Sequence, residues 1–220
     1  MSQFARDFVK FTSFTEGRDK IYRTVQYLSR WILWYSEKRG ATPSIKVKNI
    51  ESAISLSRKL FRMARTLDFL QKAADAMYMT DDVLKTFEIA GMLGKAIWLV
   101  TDHVIWFAKV KVIEVDLKFW SKISAWTWFL GIFSLLMRDL RKLQMISERA
   151  KTVKDRQDKE ARKALRKEYH AARLELIKNF CDFWIPLGIL EYSSKGWGAT
   201  GGVVSSLIGW KQQWQKTVRK

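Results

Sequence analysis

Cysteine is nearly absent: Cys181 stands alone in 220 residues, and a lone thiol forms no internal disulfide. With only His103 and His170 beside it, the chain offers no Cys/His set to hold a metal. Two Pro and 11 Gly are few, and strands bounded by turns would need more of both. Long apolar spans are missing as well. The uncharged runs Ile123 to Met137 and Gly196 to Trp210 have 15 residues each and rise only about 22 Å, against a hydrocarbon core of about 30 Å. Charges from Arg6 through Arg30 leave no room for a secretory signal core. The last three residues, Val218-Arg219-Lys220, are not a Ser-Lys-Leu peroxisomal address.

Catalytic motifs are missing too. Gly196 to Gly202 lacks the Gly-Lys-Ser/Thr ending of a phosphate loop, and neither His-Glu-x-x-His nor Gly-x-Ser-x-Gly occurs. Asp81-Asp82 reads as a helix cap, and Asp155 with Asp158 as part of a charged run. Cys181 lies among Phe180, Phe183 and Trp184, where apolar surroundings make a thiol inert. The expectation is a protein that is not an enzyme and has no cofactor or metal.

What is present is apolar, aromatic and basic. Hydrophobic residues make up 48% and aromatics 14%, which excludes a disordered basic tail. Forty Lys and Arg against 22 Asp and Glu give a net charge of +18. Eleven Trp beside that charge point to an anionic phospholipid surface, because indole favours the boundary between hydrocarbon and water. The charge is spread along the chain and the Trp residues lie in apolar runs, so nucleic acid is not an expected partner.

Apolar periodicity of 3.5 to 3.6 through most of the chain predicts an all-α fold. We expect a helical bundle of long amphipathic helices, with no β-sheet and one to three membrane-associated or membrane-spanning helices. It reads as a single membrane-associated domain over 1–220, with segments 1–42, 44–79, 81–110, 116–192 and 196–220. In the first segment Ile21, Val25, Leu28, Ile32 and Tyr35 form a stripe that faces one partner; Gly17 is a candidate interruption, and Gly40 with Pro43 is the stop. Thr80-Asp81-Asp82 starts a helix that runs to about Val110 and contains Lys95, Asp102 and His103, which must pair or face other helices if it enters a membrane. Residues 138–178 hold 14 basic and 7 acidic side chains and read as one long solvated helix.

The segment from Ser44 to Thr66 is the most informative. Stepping 100° per residue puts Ala53, Ile54, Leu56, Leu60, Phe61, Met63, Ala64 and Leu67 on an arc of roughly 200°, with Arg58, Lys59, Arg62 and Arg65 opposite. Two readings compete: a core helix with a solvated face, or a helix lying in a bilayer interface with its cations on anionic headgroups. On the second, Leu56, Leu60, Phe61, Met63 and Leu67 insert while Arg58, Lys59, Arg62 and Arg65 set lipid preference. At the C-terminal end, Gly198, Gly202 and Ser206 recur every four residues, as do Gly201, Ser205 and Gly209. Such rows let helices approach closely in lipid. The competing reading is a Gly-rich loop from Trp197 to Gly202 followed by one amphipathic helix.

Residues Thr15 to Tyr27, including Gly17, Arg18, Asp19, Lys20, Arg23, Gln26 and Tyr27, closely resemble the N-terminal signature of the peroxin eleven family in its fungal form. The likeness continues through Ser57 to Arg62, Asp102 to Trp106, and Gly201-Gly202 with Ser205 to Gly209. The resemblance implies a homo-oligomeric, non-enzymatic protein of the peroxisomal membrane that tubulates it before division and regulates peroxisome number. It further implies binding of a fission adaptor and a dynamin-related GTPase, with a metabolite pore or a fission scaffold as the alternative. The family's remodelling amphipathic helix maps onto about Ser55 to Leu67.

Overall fold

Asp81 Oδ1 accepts the Leu84 amide at 2.7 Å and starts a 28-residue helix, one of eight in a computed structural model that describes residues 2–152 and 159–218. The elements are α1 (Gln3–Ser13), α2 (Thr15–Lys38), α3 (Ile45–Phe61), α4 (Arg65–Ala76), α5 (Asp82–Lys109), α6 (Leu117–Thr152), α7 (Lys159–Ile189) and α8 (Lys195–Val218). No strand occurs among the described residues.

Neighbours in sequence pack as neighbours in space from α4 through α8; α2 then lies against α8, and α3 touches both α2 and α5. The long helices therefore close into a ring, with α1 resting on α2 and α8. Gly94 and Gly131 mark where α5 and α6 come closest, since a Cβ on Gly94 would stand 2.6 Å from the Gly131 Cα.

Several boundaries differ from those expected. The N-terminal helical zone breaks at Phe14, three residues before Gly17, and Gly17 instead lies buried under the Phe11 carbonyl. The segment 44–66 is interrupted at Arg62 to Ala64, where three turn residues separate α3 from α4. Residues 138–178 form no single helix: they belong to α6 and α7, which return antiparallel and are tied by Asn179 Nδ2 donating to Asp139 Oδ2 at 2.7 Å. Asp155 and Asp158 lie outside the described residues. The chain reverses after α5 and α7 at Lys111 and Glu191, with φ of 62° and 65°, a region where side chains cost about 1–2 kcal/mol.

Burial runs against the habit of soluble bundles. Among the described residues 13 polar or charged side chains are buried beside 16 hydrophobic ones, while 38 large hydrophobics are exposed. The Ile21 to Tyr35 stripe, expected to face a partner, is exposed at Val25, Leu28, Ile32 and Tyr35; α2 turns Asp19, Gln26 and Ser29 inward instead.

No helix among the described residues is long and apolar enough to cross a membrane, which removes the spanning helices from the expected fold class. The physical cause is visible in α5 and α6, which have 28 and 36 residues but carry Lys95, Asp102, Arg138 and Asp139 on their inner faces. Of the two readings of the C-terminal segment, the structure has the helix. It is a helix from Lys195 onward rather than a loop, and it docks on α2 and α7 of its own chain.

Candidate membrane-remodelling surface

On α3 the arginine-bearing side faces the bundle and the apolar side faces out. Arg58 is buried: its Nε donates to Asp19 Oδ1 at 2.8 Å and its Nη1 to Gln26 Oε1 at 2.5 Å. Asp102 of α5 accepts from two cations at once, Lys59 through one oxygen and Arg62 Nη2 through the other, the latter at 2.6 Å. Arg62 also lies over the Trp98 ring, 4.9 Å from its centroid. Arg65, farther along, pairs with the exposed Glu16 at 3.2 Å. On the bilayer reading of the sequence these four cations face lipid headgroups. Ion pairing reverses that orientation for Arg58, Lys59 and Arg62, because Asp19 and Asp102 sit inside the ring, while Arg65 meets an exposed acid.

The opposite arc is bare. Leu60 is 45% exposed, Phe61 43%, Leu67 69% and Leu70 43%, and Ile45 and Ile50 continue the face toward the start of α3. Leu56 and Met63, which the wheel also placed on the inserting face, are half-buried. Tyr22 of α2 stacks on Phe61 with ring centroids 6.0 Å apart and so fixes that ring's position at the edge of the face. The turn at Arg62 to Ala64 lets α4 change direction while Leu67 and Leu70 stay outward.

Electrostatics follow from this packing. Burial alone would raise the Asp19 carboxyl, but the Arg58 guanidinium outweighs it and holds the group well below the usual carboxylate range. Burial, reinforced by Arg62, pushes the Lys59 ammonium down to about 6 despite its contact with Asp102. Burial lowers His103 as well.

The small residues of α8 occupy a different surface. Gly198, Gly201, Gly202, Ser205, Ser206 and Gly209 are all buried within the chain. A Cβ on Gly202 would overlap the Tyr27 ring, and one on Gly201 the carbonyl oxygen of Cys181. Ser205 Oγ accepts from Arg23 Nη2 at 3.1 Å, and Arg23 also reaches Asp182 Oδ1 at 2.5 Å, so α2, α7 and α8 meet at one guanidinium. The row packs on this chain's own helices.

The four signature segments thus converge. Asp19 meets Arg58, Asp102 meets Lys59 and Arg62, Tyr27 meets Gly202, and Arg23 meets Ser205. Sequence reasoning did not identify Glu51, which accepts from Arg30 Nε at 2.7 Å and Gln26 Nε2 at 3.2 Å, or Asp182, because acids scattered through amphipathic helices carry no local signal of their partner. Gly94 and Gly131 stood in apolar stretches, where an isolated helical glycine was the available hint.

The chain matches the family model described as Peroxisomal biogenesis factor 11 over residues 5–214. It is 30% identical to the Peroxisomal membrane protein PMP27 of Saccharomyces cerevisiae, with 96% of this chain and 94% of that protein covered. It is 24% identical to the human Peroxisomal membrane protein 11A, over 92% and 93% of the two chains, and 24% identical to the human Peroxisomal membrane protein 11B, over 91% and 93%. No solved structure matches it.

Proposed function

The chain belongs to the peroxisomal biogenesis factor 11 family, a set of peroxisomal membrane proteins, and we propose that it elongates the peroxisomal membrane before division by inserting the outward face of α3 and α4. Its location is the peroxisomal membrane. The observation that carries the mechanism is the orientation of α3: Arg58 buried at 6% exposure while Leu60 and Phe61 on the other side are open. In water that arrangement leaves apolar area unburied, at about 25 cal/mol for each Å². Against a bilayer the same area is covered by acyl chains, and the ion pairs stay away from lipid.

Insertion of Leu60, Phe61 and Leu67 into one leaflet spreads its headgroups, so many copies expand that leaflet and favour a tube. Self-association concentrates these wedges, and recruitment of a fission adaptor and a dynamin-related GTPase follows; both steps rest on the family reading. The outer stripe of α2, with Val25, Leu28 and Ile32, extends the lipid-facing surface alongside.

The test is the double substitution Leu60→Asp and Phe61→Asp in the full chain. Two charges on the inserting face weaken membrane affinity by on the order of several kcal/mol. Tubulation of vesicles and elongation of peroxisomes should be lost while helix content and thermal unfolding in detergent stay unchanged, since both side chains are exposed. Normal elongation by a well-folded double mutant overturns the wedge.

A further inference from the structure

On the inner side of α3 a cavity of about 170 Å³ lies between α2, α3, α5 and α6. Five cations reach its wall: Arg30, Arg58, Lys59, Arg62 and Lys109. Three carboxylates answer them, Glu51 on Arg30, Asp19 on Arg58 and Asp102 on both Lys59 and Arg62. With Lys59 pushed down to about 6 by burial, the cation left without a carboxylate at neutral pH is Lys109. Lys109 has no ion pair among the described residues; Arg30, paired with Glu51 through Nε and lying over the Tyr27 ring, keeps its terminal nitrogens free of a hydrogen-bond acceptor. Ser55, Ser121 and Ser124 also line the cavity, and Trp98 and Trp128, with ring centroids 4.8 Å apart, stand on its wall.

We propose that this cleft binds a phosphate group, either free phosphate or the phosphate of a lipid headgroup. A tetrahedral anion answers the unpaired Lys109 ammonium, and its remaining oxygens match the free terminal donors of Arg30 and the serines of the wall. The size agrees: at about 30 Å³ for each water-sized volume the cavity takes between five and six, enough for a phosphate of five heavy atoms. Burial, reinforced by Arg62, Lys109, Arg30 and Arg58, holds the Lys59 ammonium down near 6 on the same wall. A second cavity of about 310 Å³, lined by Leu33, Trp34 and Ile185 but also by Glu37, Glu51 and Glu191, shares Tyr27, Arg30 and Ile189 with the first. The site is separate from the outward face of α3 and does not depend on membrane insertion.

The experiment follows thermal unfolding and tryptophan emission of the full-length protein in a neutral detergent, titrated with inorganic phosphate, with short-chain phosphatidic acid, and with phosphatidylcholine or sodium chloride at matched ionic strength as controls. Saturable stabilisation by phosphate or phosphatidic acid, but not by the controls, is expected. A half-saturation at least tenfold lower for phosphatidic acid identifies a lipid headgroup as the source; equal values identify free phosphate. Lys109→Gln, which breaks no ion pair, and Ser121→Ala should each weaken binding, the first by about tenfold. No shift with either phosphate source, or a shift that both variants leave untouched, overturns the proposal. Tubulation is not part of this readout, so its outcome stands apart from that of the wedge.

Discussion

Arg58 and Asp19 stand 39 positions apart in sequence, yet their side chains meet at 2.8 Å with each only 7% exposed. This pair bonds α3 to α2 through its polar side and thereby leaves Leu60 and Phe61 facing away from the bundle. The orientation of the lipid-directed surface is thus decided by a salt bridge on the far side of the same helix.

Removing one partner of that pair should be expensive. Arg58→Leu leaves the Asp19 carboxylate buried without its cation, at about 3–5 kcal/mol, and the double variant Asp19→Leu with Arg58→Leu should recover most of the loss. Thermal unfolding of both in detergent provides the comparison. Asp19 has a folded pKa below its unfolded value, so its contribution is present above about pH 4 and fades as the medium is acidified. The acid limb of the stability curve should therefore flatten in Asp19→Asn.

Three buried lysines work in the other direction. Burial pushes Lys20 down to about 8 with help from Arg23, Lys95 to about 7 with help from Lys178, and Lys59 to about 6 with help from Arg62. Between pH 6 and 9 the unfolded chain keeps these protons and the folded chain sheds them, so stability rises with pH. Lys95→Met should raise the melting temperature at pH 6 more than at pH 9. A melting temperature that falls from pH 6 to pH 9 would contradict the burial of these groups.

Enlarging the small residues of α8 tests its docking. Gly202→Leu drives a side chain into the Tyr27 ring and Gly201→Leu into the Cys181 carbonyl, each destabilising by about 1–3 kcal/mol or more. Limited proteolysis should then cut between α7 and α8 faster than in the parent. Leu207→Ala, on the exposed side of the same helix, should leave cleavage unchanged.

The single thiol reports on the α7 and α8 contact. Burial pushes Cys181 above the ordinary thiol range, with Asp182 adding to the rise, so maleimide labelling at neutral pH should be slow in the folded protein. Gly201→Leu should speed it, because the backbone of Cys181 is what the new side chain displaces. Equal labelling rates in parent and variant would show that α8 does not cover this part of α7.

Helical character was legible throughout, because scarce Pro and Gly and a steady 3.6 period need no partner to be read. Asp81 declared the start of α5 by its own side chain, whereas the reversals at Lys111 and Glu191 were hidden, since neither is the glycine that a left-handed residue favours. The two faces of α3 were also legible, as the spacing of Leu56, Arg58 and Leu60 depends only on helix geometry. Which face points inward was not. An amphipathic pattern is symmetric to that choice, and the usual preference for apolar burial gives the wrong answer once carboxylates wait inside. Asp19, Asp102 and Glu51 lie on three different helices, and only their meeting with Arg58, Lys59, Arg62 and Arg30 turned the charged side in and left the leucines to the outside.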